Sequence, residues 1–255
     1  MGMYKCWHGK VLAIGRKKTS ACACMPFTMV PESFNMRFLP GATHLVVGPS
    51  GCGKTYRTCD ILRNKDSIIQ GGSDIKNVVM CYSAWQPIYE KLRTDGIVTR
   101  FVKKKPTKDE FVDFVKDYRD KGGSIVVIDD FMSNIDEDLV DIVTVQSRHF
   151  NTTTFILFQS LFPPNKLARQ ISLNVKYIHA HKNPRENAQI QVLTRQISPT
   201  NYKWIVEAYH HVTQQPHQCF LMDLTQSCPE KLRFRSHYLP WEFPMRVWRP
   251  ANEAN

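Results

Sequence analysis

The residues Gly48-Pro49-Ser50-Gly51-Cys52-Gly53-Lys54-Thr55 have the spacing G-x-x-x-x-G-K-[ST]. Glycines at these positions let successive backbone N–H groups turn toward phosphate oxygens at the positive end of a following helix. All eight are candidates for a nucleotide cradle. Lys54 is expected to neutralise the β- and γ-phosphates, and the Thr55 hydroxyl to bind Mg²⁺. Further on, the apolar run Ser124-Ile125-Val126-Val127-Ile128 ends in Asp129-Asp130, the form of a Walker B element. Asp129 would hold Mg²⁺ through its water shell, and Asp130 would polarise an attacking water. Gln159 closes another apolar run, Thr154 to Phe158, where an amide can sense a γ-phosphate or align that water. The chemistry these types allow is Mg²⁺-assisted ATP hydrolysis, with ATP and Mg²⁺ as cofactors and Lys54, Asp130 and Gln159 as catalytic candidates.

Such residues need a scaffold of strand ends. Thr43 to Val47 is a β-rich run leading into the glycines, and Lys54 to about Arg63 should be helical. Phe34, Met36 and Phe38 alternate like a strand, Asn77 to Tyr82 and Gly96 to Val102 are further strand candidates, and Pro87 to Arg93 reads as a short helix. Thr107 to Lys121 places Phe111, Val112, Phe114, Val115 and Tyr118 on one helical face. Thr107 and Glu110 form a capping box at its start, and Gly122-Gly123 ends it. A helix over about 137–147 and strands over 175–180 and 219–224 complete the pattern. Short apolar strands alternating with helices predict an α/β fold, a mostly parallel central sheet with helices on both faces. The gap between Lys54 and Asp129 leaves room for a strand between the P-loop strand and the Walker B strand. That insertion is the mark of additional-strand, motor-type P-loop NTPases. The expected organisation is a basic arm over 1–33, a P-loop ATPase domain over 34–240 and a tail over 241–255.

Composition narrows the class. The 255 residues are 42% hydrophobic and 22% charged, which fits a globular protein rather than a disordered one. No apolar stretch approaches the ~18 residues of a membrane span. The opening residues lack the apolar core of a secretory signal, and Cys6 stands where a myristoylation signal wants Ser or Thr, so an intracellular protein is expected. The eight cysteines do not form a disulfide framework in that setting. Cys6, His8, Cys22 and Cys24 match no strong zinc spacing. His179, His181, His210 and His211 read as core or surface residues rather than metal ligands. The net charge of +11 divides unevenly, about +4 over 1–33, +1 over 34–159 and +6 over 160–255. Basic flanks around a near-neutral middle suggest a polyanionic partner.

Together these stretches resemble the FtsK–HerA superfamily, and more narrowly the genome-packaging ATPases of large DNA viruses, polintons and adintoviruses, poxvirus- and adintovirus-like in type. The likeness extends beyond the nucleotide motifs to Cys81-Tyr82-Ser83-Ala84-Trp85-Gln86-Pro87-Ile88-Tyr89, Ser147-Arg148-His149-Phe150-Asn151 and Arg169-Gln170-Ile171-Ser172-Leu173-Asn174. Phe220 to Leu224 and Leu232 to Arg235 fit as well. The resemblance runs from about Phe34 to Pro240. It implies a homo-oligomeric ring that hydrolyses ATP to drive double-stranded DNA, independently of sequence, into a capsid, docked on a capsid or portal-vertex protein. The place of action would be the host nucleus or cytoplasm at the site of virion assembly, or the virion itself. Many superfamily members carry Glu where this chain has Asp130. A ring motor completes its site with a neighbour's arginine, worth about 10³–10⁵ in rate. Arg148 is the first candidate and Arg169 the second. For DNA phosphates the candidates are Arg100, Lys103, Lys104, Lys105 and Lys108, then Lys231, Arg233 and Arg235. The competing readings are a viral or transposon-type helicase, a nucleotide kinase, and a module that binds ATP only to assemble.

Overall fold

The computed structural model describes residues 27–29, 35–242 and 244–250. The zinc candidates Cys6, His8, Cys22 and Cys24 lie outside them. The strands are β1 (Phe27–Met29), β2 (Thr43–Val47), β3 (Asn77–Tyr82), β4 (Arg100–Val102), β5 (Ser124–Asp129), β6 (Thr152–Phe158), β7 (Tyr177–His181), β8 (Cys219–Asp223), β9 (Phe234–Ser236) and β10 (Arg246–Trp248). The helices are α1 (Lys54–Arg63), α2 (Lys65–Ile68), α3 (Pro87–Thr94), α4 (Lys108–Val115), α5 (Glu137–Asp141), α6 (Ser147–His149), α7 (Lys166–Asn174), α8 (Asn187–Ile197) and α9 (Tyr202–Val212).

The strands form one sheet in the order β1-β10-β9-β8-β7-β2-β6-β5-β3-β4. From β7 to β4 every pairing is parallel, and from β7 back to β1 every pairing is antiparallel. The inner parallel strands β2, β3, β5, β6 and β7 are buried almost end to end and mostly apolar, because both faces are covered. Alternate side chains divide between two cores. Val46, Met80, Val127 and Leu157 pack against Ile61 and Leu62 of α1 and Tyr89 and Leu92 of α3. Val47, Cys81, Ile128 and Phe158 face the other way, onto Phe111 of α4, Leu139 of α5, Ile171 of α7 and Leu193 of α8. The fold is therefore α/β, a mostly parallel sheet with helices on both faces.

The additional strand is present, but it does not come from the gap between Lys54 and Asp129. β6, which follows Walker B in the chain, lies between the P-loop strand β2 and the Walker B strand β5. The two strands inside the gap, β3 and β4, lie beyond β5 at the far edge. Of the strand expected around Phe34–Phe38, the described residues 35–38 form only an isolated bridge, Phe38 to Ile69. Phe38 instead packs edge-on against His44, Tyr177 and Tyr238. The sheet also crosses both expected domain boundaries. β10 from the tail region lies within it, Trp248 is buried, and β1 from the arm pairs with β10.

The capping box at α4 forms with both reciprocal bonds, though the α-helix stops at Val115 and tightens to a 3₁₀ turn over Lys116–Tyr118. Between α5 and α6 the chain runs through a π-turn, Ile142–Gln146, where the Ser147 hydroxyl donates to the Ile142 carbonyl at 2.6 Å. The asparagines of the family-like segments close strand entrances. Asn151 takes a left-handed φ of 47° before β6, and the Asn174 side chain donates to the Gln170 carbonyl at the end of α7.

Candidate active site

The glycine-rich loop joins β2 to α1 at the C-terminal edge of the parallel strands, the edge where open α/β sheets bind ligands. Gly48 has φ 155°, and a Cβ there would lie 2.7 Å from Cys52 Sγ and 2.8 Å from His181 Cβ. Gly53 is the N-cap of α1 with φ 102°, so no side chain caps the helix. No acidic residue stands in the first turn. The leading N–H groups of α1 and the positive end of its dipole thus face the cleft unopposed. Lys54 Nζ donates to the carbonyls of Gly48 and Pro49 at 2.6 and 3.0 Å, bracing the loop from inside.

At the end of β5 the two aspartates diverge. Asp129 is 3% exposed, and its Oδ2 accepts from the hydroxyls of Thr55 at 3.0 Å and Tyr89 at 2.5 Å, with Gln86 Nε2 at 3.4 Å. Burial raises its pKa above the usual carboxylate range; the Tyr89 and Thr55 hydrogen bonds pull the other way without cancelling it. Burial also pushes the Tyr89 hydroxyl well above its ordinary value, helped by the nearby Asp129 charge, so it stays a donor. Asp130 adopts φ 67°, a conformation Asp tolerates better than most residues, and its carboxylate is exposed. Ser83 Oγ donates to its Oδ2 at 3.1 Å and Gln159 Nε2 to its Oδ1 at 3.0 Å. Thr55, Asp129, Asp130 and Gln159 line one cleft of about 590 Å³ with the loop residues.

Thr55 Oγ1 and Asp129 Oδ2 are hard oxygen donors of the kind Mg²⁺ takes while keeping most of its shell for water and phosphate. Among the described residues no group of three or more His, Cys, Asp or Glu forms a metal cage.

Three contributors escape the motifs. Ser83, Gln86 and Tyr89 come from the turn after β3 and the start of α3, where Pro87 holds the first helical position. They reach the aspartates because β3 pairs with β5, bringing Tyr82 beside Asp129. A hydroxyl and an amide three residues apart, just past an apolar strand, were the available signal. His217, from the loop before β8, also reaches the site. Its backbone is left-handed at φ 63°, and its Nδ1 lies 3.3 Å from the Cys52 carbonyl.

No family model matches the chain, and no curated protein does. Among solved structures, the DNA-packaging ATPase B204 from Sulfolobus turreted icosahedral virus shares 13% identity at a TM-score of 0.48, over 83% of this chain and 98% of that one. The genome-packaging NTPase B204 of Sulfolobus turreted icosahedral virus 2, in complex with ATP-gammaS, shares 11% at 0.45, over 82% and 97%. A KaiC-like protein from Pyrococcus horikoshii shares 11% at 0.44, over 83% and 95%. Likeness this loose transfers neither a role nor a residue.

Other expected residues lie elsewhere. Arg148 is exposed on α6, just before β6 begins, whereas Gln159 follows the end of that seven-residue strand. About 20 Å of strand separates Arg148 from the cleft of its own chain. Arg169 is exposed on α7. Of the lysine run, Lys104 pairs with Glu110, Lys105 with Asp136 at 2.6 Å and Lys108 with Asp141 at 3.1 Å. Arg100 stacks on Phe114. Arg233 pairs with Glu230, and Arg235, 2% exposed, is buried against Asp223, so Arg235 is a core ion pair and not a DNA contact. Lys103 and Lys231 are exposed and have no carboxylate partner among the described residues. His179 and His181 are core residues, as read from the sequence, and His210 and His211 lie on α9 toward the surface.

Proposed function

We propose that this chain is an ATP-hydrolysing, DNA-packaging motor, acting as a homo-oligomeric ring that moves double-stranded DNA into a capsid. The observation that carries the hydrolytic part is the insertion of β6 between β2 and β5, which sets Gln159 against Asp130 and both beside the loop. The loop N–H groups and Lys54 would bind the triphosphate. Thr55 and Asp129 would hold Mg²⁺, which when bound offsets phosphate charge. Asp130 is the proton acceptor for the attacking water, oriented by Ser83 and Gln159. Its arm is shorter than that of Glu, and its backbone is left-handed where it lines the cleft.

The DNA part rests on the resemblance and on charge. Lys166, Arg169, Lys176, Lys182 and Lys203 are exposed and have no carboxylate partner among the described residues. These, Lys103 and Lys231 are among the exposed cations available for phosphate contacts, and binding through them would weaken steeply with salt. Arg148, distant from its own cleft, could serve only a neighbour's.

The test is ATP-dependent displacement of a triplex-forming oligonucleotide from duplex DNA, run beside a strand-displacement assay. A translocase removes the third strand and leaves the duplex annealed. Unwinding of the duplex would favour the helicase reading, and removal of neither strand would overturn translocation.

A further inference from the structure

Resting on the ATPase reading of the cleft, we infer that Tyr56 and His217 form a stacking platform that holds the nucleobase by its face. Tyr56 follows Thr55 in the first turn of α1, yet the residue is 59% exposed, an aromatic of that helix left in solvent. It lines the same cleft as Lys54 and Asp129. His217 is also exposed and lines the cleft from the opposite element, the loop entering β8. Its ring lies over Gly53, where a Cβ would meet Nδ1 at 3.1 Å and Cγ at 3.5 Å.

The His217 ring is placed by a buried device. Its left-handed backbone is unusual for a non-glycine residue. The guanidinium of Arg57, one residue beyond Tyr56, donates to the His217 carbonyl at 3.2 Å and to Glu242 at 2.7 Å, with both side chains of that pair only 7% exposed. The same helix turn thus presents Tyr56 outward and anchors His217 from beneath. With triphosphate on the loop, the nucleoside must leave the cleft past the start of α1. The two amides of the cleft are engaged: Gln86 with Thr55 and Asp129, Gln159 with Asp130. The two exposed rings, Tyr56 and His217, offer a base their faces. Stacking is tolerant of base identity because every base has a π-face.

Titration calorimetry with ATPγS, GTPγS and inorganic tripolyphosphate, each with Mg²⁺, tests this on the full chain. Tyr56→Ala should weaken both nucleotides about 10- to 100-fold and leave tripolyphosphate unchanged. Tyr56→Phe should bind like wild type, and His217→Ala should act in the same direction as Tyr56→Ala. Wild type should bind ATPγS and GTPγS within about tenfold of each other. Unchanged nucleotide binding in Tyr56→Ala, or a parallel loss of tripolyphosphate, would overturn the platform. Should Lys54→Ala abolish ATPγS binding while Tyr56→Ala keeps it, only the platform falls. A wild-type chain that binds neither nucleotide would overturn the platform and the ATPase reading together.

Discussion

Asp129 shows how the site trades stability for function. Its carboxylate is buried among hydroxyl donors, and its folded pKa lies above that of the unfolded chain. The sign follows directly: a carboxyl that holds its proton more tightly when folded favours folding at acid pH, and that contribution is lost as pH rises through the folded pKa. Above its folded pKa the ionised Asp129 therefore opposes folding. Asp129→Asn should stabilise the chain by about 1 kcal/mol, raising Tm by about 2–4 °C, while phosphate release disappears. A thermal melt beside a phosphate-release assay checks both; a lower Tm would contradict the account. Motif spacing alone was enough to expect Asp129, Asp130 and Lys54 together, and the structure brings all three to one cleft. Tyr89, Gln86 and Ser83 were not legible in the sequence, since they matter only once β3 lies beside β5, and pairing is a tertiary fact. The sequence also left Arg235 on the surface as a DNA contact, because nothing local in Phe234-Arg235-Ser236 announces Asp223 on the adjoining strand.

At the level of elements, the apolar runs within β2, β3, β5 and β6 could be read directly, since strands buried on both faces are mostly apolar and their polar residues gather at the strand ends. The three-residue strands β9 and β10 are too short to show an alternation, and α8 and α9 were missed altogether. The strands β2 and β7 carry polar residues of a different kind. His44 and His179 stack and share a hydrogen bond at 3.0 Å, and His179 bonds Tyr238 at 2.8 Å. Burial lowers the His44 and His181 pKa values to about 3 and takes His179 well below its ordinary value. A histidine kept neutral when folded contributes stability that is present above the unfolded pKa near 6.5 and lost as pH falls toward the folded value. By pH 5 the loss is about 2 kcal/mol for each of His44 and His181. Urea midpoints should be level between pH 8 and 7 and fall steeply from pH 6.5 to 5. A level profile down to pH 5 would show that these rings are not held neutral in the fold.

The molecule as a whole is one sheet with its chemistry gathered at one edge. The parallel half supplies the cleft, and the antiparallel half, β8 to β10 with β1, supports the loop through His217 and the Arg57–Glu242 pair. The additional-strand character was inferred from the sequence, although the strand itself came from the segment after Walker B, because chain order does not fix sheet order. Among the described residues no helix is long and apolar enough to cross a membrane. The measurement that tests the central claim most directly is phosphate release from ATP by wild type and Lys54→Ala, with and without duplex DNA, across a salt series. The account predicts turnover that duplex DNA stimulates, that fades as salt rises and that vanishes in the variant. Turnover indifferent to DNA, or equal in the two chains, would contradict it.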